Sequence, residues 1–336
     1  INTMIHAGES RQDKWRHYAK AGVTLGQTLE QYPNATIVWT SISPEAAGHF
    51  RDVKTIFPRL KGKRVVAAAH WGKFAQVFSH PLTRWSARRL LPGLDRIVFT
   101  APVLSEACAT WLPEGRRAVI PNTLDPEVIP DATTVSNRID EGVRSRPRVL
   151  FLSNMFVEKG WPDVLEAAAL MHAEGFEAEW FFAGAWPSDD VQRQFLDQVT
   201  RLELTESVVH LGAMETRAQV AEQYLAADIF VLPSWLREAQ PLTIMEAMAA
   251  GTPCVVADDG GMPDLIGWNE DRDKAAGEVV PARDPSALAA ALMRVTEPNR
   301  WERAAREARN RFDRLYAPAA VEQKWVDLLD SLEAGA

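Results

Sequence analysis

Two glutamates, Glu238 and Glu246, stand eight positions apart in the second half of the chain. A predicted strand ends at Pro233, Glu238 lies in the loop that follows it, and Glu246 lies in a helix that begins near Pro241. Loops at the C-terminal ends of parallel strands are where open α/β sheets bind ligands. A helix N-terminus there offers free backbone N–H groups and a positive dipole end, which suit a phosphate. The pattern therefore predicts a phosphate site flanked by two carboxylates.

The residues around these glutamates form a longer pattern. Pro-Ser precedes Glu238, Glu246 opens the run Glu-Ala-Met-Ala-Ala-Gly-Thr-Pro, and Gly-Gly-Met-Pro stands at 260–263 after the next predicted strand. Two glutamates eight apart also occur on solvated helix faces, so the surrounding residues make the pattern specific. This stretch resembles the signature of family 4 glycosyltransferases, which are retaining enzymes of the GT-B fold. They move a sugar from a nucleotide-sugar donor to an acceptor hydroxyl.

Strand-like and helix-like segments alternate along the 336 residues, which predicts α/β architecture with parallel sheets in two domains. The resemblance implies two doubly wound Rossmann-like domains that face each other across a cleft, with a C-terminal helix that crosses back to the first domain. Residues 126–147 are rich in Pro, Thr, Asp and Arg without an apolar period, so they are the predicted linker. The predicted boundaries are 1–128 for the acceptor-side domain, 129–147 for the linker, 148–315 for the donor domain and 316–336 for the C-terminal helix.

Buried strands and amphipathic helices are predicted from the apolar runs and their periods. The predicted strands are 36–40, 64–69, 96–100, 118–121, 148–152, 180–183, 208–211, 229–232, 254–257 and 278–280. The predicted helices are 82–91, 161–175, 189–202, 218–226, 241–250, 285–295 and 300–333, the last with a break at 316–318. The family opens with a strand and a Gly-rich loop, and no such unit precedes residue 36. Either the chain lacks its natural N-terminus or it departs from the family there.

Donor-binding residues are implied by the resemblance. Lys159 matches a family lysine on the diphosphate, whereas Asn154 stands where members commonly have Arg and brings no charge. Glu246 matches the glutamate that accepts hydrogen bonds from the ribose hydroxyls, and Glu238 matches the one nearest the donor sugar. The alternatives are an exposed turn lysine at Lys159 and a surface helix residue at Glu246.

Backbone groups complete the implied donor site. Gly184 and Gly212 lie where the family contacts the base, and Trp186 either stacks on a ligand or packs the loop, with packing favoured. Pro241 cannot donate a hydrogen bond and need not do so at a helix start. The loop that would present N–H groups to the sugar and the distal phosphate is Ala239, Gln240, Pro241, Leu242 and Thr243.

The first half contains His70-Trp71-Gly72-Lys73 directly after a buried strand. This segment looks like the family segment whose His reaches the donor sugar, which makes His70 a catalytic candidate beside Glu238. Trp71, Gly72 and Lys73 are then acceptor-side residues, and Gly72 would let the backbone approach a ligand. The alternative for His70 is a structural role, which is the commoner role for a lone His.

The resemblance implies transfer with retention and without a covalent enzyme intermediate. The leaving diphosphate takes the acceptor proton, so the enzyme positions the substrates and stabilises the leaving group electrostatically. No metal and no cofactor are expected, because no metal-ligand cluster is visible and the nucleotide-diphosphate sugar is a substrate. The second hypothesis is a catalytically weak or inactive nucleotide-sugar-binding GT-B protein, which Asn154 and the absent first strand would favour.

Composition and charge bear on the partners. Residues 1–146 carry 20 basic and 13 acidic residues, a net +7, whereas the remainder carries 17 and 32, a net −15. Arg84, Arg88 and Arg89 share one predicted helix with Trp85, which suits an anionic membrane surface or a solvated helix face. No apolar run approaches the roughly 20 residues that span a bilayer. The expected location is cytoplasmic, with peripheral binding at the inner membrane face, and no nucleic-acid motif is present.

Overall fold

The structure, a computed structural model, describes residues 24–25, 27–42, 46–56 and 60–334. Contacts divide the chain into two compact units. The first ends at Ile120 and also includes the chain from Trp325, and the second is Pro121–Lys324. The prediction of an absent first strand concerns the start of the chain, which lies outside the described residues.

The first unit contains a parallel sheet in the order β1-β2-β3-β4. Its helices α1, α2 and α3 are Ala46–Arg51, Pro81–Leu90 and Pro102–Glu106. Strand β2 is buried from Val65 to Ala69, which is typical of a parallel strand covered on both faces. The strands are β1 Ile37–Ser41, β2 Arg64–Ala69, β3 Arg96–Phe99 and β4 Arg117–Val119.

The second unit contains a six-stranded parallel sheet in the order β10-β9-β8-β5-β6-β7. The chain builds β5, β6 and β7 outward in one direction and then returns to place β8, β9 and β10 on the other side of β5. The strand order therefore reverses between β5 and β8, and this switch point is where doubly wound sheets bind ligands. The strands are β5 Arg148–Leu152, β6 Glu179–Ala183, β7 Val208–His210, β8 Ile229–Leu232, β9 Cys254–Ala257 and β10 Gly277–Val280.

Helices connect these strands, and three further helices follow the last strand, the last of them ending at Ala334. Helix α8, Leu242–Ala249, is buried from Ile244 to Ala249, because it packs between the sheet and helix α11, Pro298–Leu315. The predicted break at 316–318 is confirmed, since α11 ends at Leu315 and α12 begins at Pro318. The helices are α4 Ala132–Glu141, α5 Trp161–Ala173, α6 Asp189–Arg201, α7 Arg217–Ala226, α8 Leu242–Ala249, α9 Met262–Leu265, α10 Pro285–Val295, α11 Pro298–Leu315 and α12 Pro318–Ala334.

The segment predicted as an irregular linker, 129–147, contains helix α4. The expectation of an irregular segment is therefore wrong. Val135 and Ile139 stand four positions apart and are buried against Trp301 and Ala305 of α11. Two apolar side chains on one face are enough to dock a short helix when its partner helix is already fixed by the core.

Candidate functional site

The turn after β5 and the loop after β8 meet at the switch point. Lys159 lies in the first and Glu238 in the second, and Lys159 Nζ is 2.6 Å from Glu238 Oε1. The Ser234 hydroxyl donates to the same carboxylate oxygen at 3.0 Å. Both charged side chains are half-buried, so their attraction is screened less than that of a surface pair. Two residues predicted from separate parts of the sequence are therefore in direct contact.

Two glycines let three loops close around Glu238. Gly160 has a φ of +89°, and a Cβ there would stand 2.3 Å from the Pro233 carbonyl oxygen. Gly260 has a φ of +62°, and a Cβ there would stand 2.0 Å from the carbonyl oxygen of Glu238. The backbone N–H of Gly261 donates to that same oxygen at 3.0 Å. The loops after β5, β8 and β9 are thus packed backbone to backbone.

Glu246 lies on α8 and is only 7% exposed, so the surface-residue interpretation is wrong. The hydroxyl of Tyr224, which is fully buried on α7, donates to Glu246 Oε2 at 3.0 Å. Burial raises the pKa of the Glu246 carboxyl, while the Tyr224 hydroxyl and Arg217 act in the opposite direction. Within the described part of the chain, no second group donates to Glu246, so Oε1 is available to a ligand hydroxyl.

The loop between the two glutamates is held by Gln240, whose side-chain oxygen is engaged by the protein backbone. Its Oε1 accepts from the Asn122 backbone N–H at 2.6 Å, and Asn122 Nδ2 donates to the Gln240 carbonyl at 3.3 Å. Pro241 is the N-cap of α8 and provides no side-chain hydrogen bond. The first backbone N–H groups of α8, at Leu242 and Thr243, therefore have no partner within the helix and point out of its N-terminus.

The turns after β5, β6 and β7 lie side by side. Gly184 has a φ of +147°, and a Cβ there would stand 1.8 Å from the Ser153 carbonyl oxygen. Its backbone N–H donates to the Gly212 carbonyl at 2.9 Å. Asn154, next to Ser153, is exposed. The structure thus brings Asn154, Gly184 and Gly212 to one edge of the sheet.

Trp186 packs within this edge. Its ring centroid lies 4.5 Å from that of His210 and 5.2 Å from that of Phe195. Its Nε1 is buried without a hydrogen-bond partner. His210 Nε2 is 3.3 Å from the Gly184 carbonyl oxygen, and burial lowers the pKa of the imidazole. These contacts match the loop-packing interpretation of Trp186.

His70 and the residues after it belong to the first unit. His70 and Trp71 are exposed beyond the end of β2, Gly72 is buried and Lys73 is half-buried. The Trp39 ring lies 6.2 Å from the His70 ring in an edge-on arrangement. Neighbouring groups partly desolvate the imidazole, which lowers the pKa of His70.

Sequence reasoning missed Tyr224 and Ser234 as partners of the two glutamates. Tyr224 precedes a buried strand by five positions and gave no polar signal of its own. Ser234 stood in the Pro-Ser pair, and only the fold shows that its hydroxyl reaches Glu238. Across the described ranges, no group of three or more His, Cys, Asp or Glu is arranged to hold a metal ion. No helix among these residues is long and apolar enough to cross a membrane.

Residues 146–297 match the family described as "Glycosyl transferases group 1". The amylovoran biosynthesis glycosyltransferase AmsK of Erwinia amylovora is 30% identical over 155 residues, 45% of this chain and 36% of that protein. The putative colanic acid biosynthesis glycosyltransferase WcaL of Escherichia coli K12 is 25% identical over 209 residues, 60% of this chain and 49% of that protein. The chain thus spans less than half the length of these relatives. The match over residues 146–297 confirms the resemblance to this glycosyltransferase family for that part of the second unit.

Solved structures confirm the fold class. Sucrose-phosphate synthase from Thermosynechococcus elongatus has a TM-score of 0.76 at 18% identity, covering 98% of this chain and 81% of that one. Anabaena Alr3699/HepE, solved in complex with UDP, has a TM-score of 0.72 at 18% identity, covering 94% of this chain and 82% of that one. The predicted GT-B fold with two parallel-sheet, Rossmann-like domains is therefore confirmed.

Proposed function

We propose that this chain is a retaining glycosyltransferase that moves a sugar from a nucleoside-diphosphate sugar to a hydroxyl of a glycan acceptor, either an oligosaccharide or a lipid-linked one. The observation that carries this function is the pairing at the switch point, where Lys159 contacts Glu238 and the buried Glu246 keeps one oxygen available. A cation, two carboxylates and an open helix N-terminus fit the charges and hydroxyls of such a donor.

Each part of the donor has a matching group in this arrangement. Glu246 would accept hydrogen bonds from the ribose hydroxyls, since a carboxylate can accept from both members of a vicinal diol. Lys159 and the first N–H groups of α8 would neutralise the diphosphate, because Asn154 brings no charge. Glu238 would accept from the hydroxyls of the donor sugar. Gly184 and Gly212 line the edge proposed for the base.

Transfer with retention needs little covalent chemistry from the protein. As the bond between the anomeric carbon and the diphosphate oxygen breaks, negative charge develops on the leaving diphosphate, and Lys159 with the α8 amides stabilises it. The acceptor oxygen attacks the same face and gives its proton to that diphosphate. Glu238 orients the sugar, and His70 is proposed as a second group that acts on it. We expect a chelator to leave turnover unchanged, and complete loss of turnover would refute a metal-free site.

The comparisons support the donor and acceptor classes by similarity. HepE was solved with UDP and also with UDP and glucose, and two relatives are described as acting in amylovoran and colanic acid biosynthesis. These statements concern those proteins. Together with the family match, they favour a nucleotide-sugar donor and a polysaccharide product for this chain. The cytoplasmic face of the membrane is the location that we propose for this activity.

The first test is a thermal-shift panel of UDP-, GDP- and ADP-linked sugars on the wild type and on Glu246→Ala. A ligand that binds only the folded state raises the melting temperature by mass action. We expect a shift with one nucleotide class and its loss in the variant. No shift with any class would refute the donor site. A shift without transfer or hydrolysis would favour the alternative, an inactive nucleotide-sugar-binding protein.

The acceptor side includes a candidate membrane contact on helix α2. Arg88 and Arg89 are exposed there beside Leu82 and Trp85, which are 52% and 43% exposed, and Arg84 is half-buried. The Arg89 guanidinium carbon lies 3.6 Å from the centroid of the Trp85 ring. Arginines beside exposed apolar side chains suit an anionic lipid surface. Co-sedimentation with phosphatidylglycerol vesicles, compared with phosphatidylcholine vesicles, tests this contact, and equal binding to both would refute it.

A further inference from the structure

Asp163 joins three loops at the carboxyl edge of the second sheet. It lies in the first turn of α5, after β5, and is buried. Its Oδ2 accepts from Trp235 Nε1 at 2.6 Å and from the backbone N–H of Arg283 at 3.2 Å. Trp235 follows β8, and Arg283 lies between β10 and α10. One carboxylate oxygen therefore links the chain after β5, β8 and β10.

Trp235 is held from two further directions. Its backbone N–H donates to the Glu158 carbonyl at 2.7 Å, which attaches it to the turn that carries Lys159. The Arg283 guanidinium carbon lies 4.5 Å from the centroid of the Trp235 ring. Arg283 has a φ of +61°, in the left-handed region that a residue with a Cβ rarely adopts. Such a conformation persists only where its surroundings hold it, and here the Asp163 carboxylate and the indole ring do so.

These contacts attach the loop that carries Glu238. Trp235 precedes Glu238 by three residues, and the carbonyl oxygen of Glu238 packs against Gly260 and accepts from the Gly261 N–H. The loop is thus anchored by the indole on one side and by the glycine backbone on the other. A side chain must be held to within a fraction of an ångström to act on a reacting group, and residues behind it provide that precision.

We propose that Asp163 is a positioning residue for sugar transfer, which holds the Glu238 loop through the indole N–H of Trp235 and the backbone of Arg283. Its role rests on the proposed function, in which Glu238 contacts the donor sugar. Asp163 makes no hydrogen bond to Glu246, Gly184 or Gly212. Loss of the Asp163 contacts should therefore impair the transfer step and leave the binding of the nucleoside diphosphate largely intact.

The test compares Asp163→Ala, Asp163→Asn and Trp235→Phe. Trp235→Phe removes the indole donor but keeps a ring beneath Arg283, and Asp163→Asn keeps one oxygen that can accept from Trp235. Trp268→Phe is the matched control, because the Trp268 indole N–H has no partner among the described residues and Arg272 lies 5.2 Å from its ring. Trp268 lies near Gly277, the first residue of β10, and thus at the amino ends of the strands, whereas Glu238 lies at their carboxyl ends.

We expect kcat to fall at least tenfold in Asp163→Ala and Trp235→Phe, while the Kd of UDP, or of whichever nucleoside diphosphate binds, changes less than twofold. Asp163→Asn should recover much of that loss, and Trp268→Phe should match the wild type. A wild-type kcat in Asp163→Ala and Trp235→Phe would overturn the proposal. A parallel loss of kcat and nucleotide affinity would also overturn it, because it indicates a general structural role.

Hydrogen exchange provides a readout that does not depend on activity. In Asp163→Ala, the amides of 234–239 should exchange faster than in the wild type, while those of β8 and β9 stay protected. Unchanged exchange at 234–239 would overturn the anchoring role even if transfer is impaired. If the wild type transfers no sugar from any donor, the proposed function fails, and the exchange result still decides whether Asp163 holds this loop.

Discussion

Glu246→Gln should make the protein more stable at neutral pH and less able to bind its donor. The Glu246 carboxyl is 7% exposed, and among the residues that the structure describes it has one hydrogen-bond donor, the Tyr224 hydroxyl. Burial raises the pKa of this carboxyl above its ordinary value of 4.5, so the folded state holds its charge at a cost. Glutamine has the same shape, can still accept from Tyr224 and carries no charge.

The magnitude follows from two opposing effects. Removing a buried charge relieves a desolvation penalty of several kcal/mol, of which the Tyr224 hydrogen bond and Arg217 already offset a part. Replacing a charge-assisted hydrogen bond by a neutral one loses about 1 kcal/mol. We therefore expect a net gain of about 1 kcal/mol, which in a unit of this size raises the melting temperature by about 2–4 °C.

The stability difference between Glu246→Gln and the wild type should depend on pH. Because the pKa is raised in the folded state, the penalty is absent below pH 4.5 and develops as pH rises through the folded-state pKa. The advantage of Glu246→Gln should thus be larger at pH 7–8 than at pH 4.5 and shrink as pH falls toward 4.5. Thermal unfolding of both proteins from pH 4.5 to 8 measures it.

Donor binding should change in the opposite direction to stability. The amide that Glu246→Gln introduces cannot replace a carboxylate that accepts two hydroxyls, so the Kd of the donor should rise about 10- to 100-fold. A variant that is less stable than the wild type at pH 7.5, or equally advantaged at pH 4.5 and pH 8, would refute the reasoning about the buried charge. Undiminished donor affinity would refute the ribose role.

Three further outcomes test the packing around the site. Tyr224→Phe should lower the free energy of unfolding by about 1–3 kcal/mol, because the buried carboxylate of Glu246 loses its donor, and by clearly less in a Glu246→Gln background; equal losses in both backgrounds would contradict the coupling. Gly260→Ala should lower stability by about 1–2 kcal/mol for the left-handed backbone alone and should also reduce kcat, since its Cβ would displace the Glu238 carbonyl. Gly175→Ala, with a φ of +79° and no atom within 4 Å, is its control, and equal effects of the two on kcat would contradict the close approach. Ile139→Ala should lower the free energy of unfolding by about 2–5 kcal/mol because α4 is docked by this side chain, without changing the donor Kd; an unchanged denaturant midpoint would contradict the docking.

The sequence predicted most of the fold because its apolar segments are short, strongly periodic and separated by Gly and Pro. Strands β2, β5, β8 and β9 lie at the predicted residues, since each is a run of apolar residues that parallel sheets bury on both faces. The break before Pro318 followed from proline's inability to continue a helix. Helix α4 was missed because Val135 and Ile139 give too few apolar positions to reveal a period on their own.

The chemistry of the site could be predicted only in part from the sequence. The types and spacing of Glu238, Glu246 and Lys159 indicated phosphate and hydroxyl binding, because charge and hydrogen-bonding capacity are properties of single residues. Their pairing depends on strand order: β5 and β8 are neighbours only because the chain returns across β5, and this return places Lys159 beside Glu238. The buried hydroxyl of Tyr224 and the Asp163 carboxylate likewise find their partners through contacts between segments 22 and 72 positions apart. Residue type thus set which chemistry was available, and tertiary packing decided which groups meet and how strongly burial alters them.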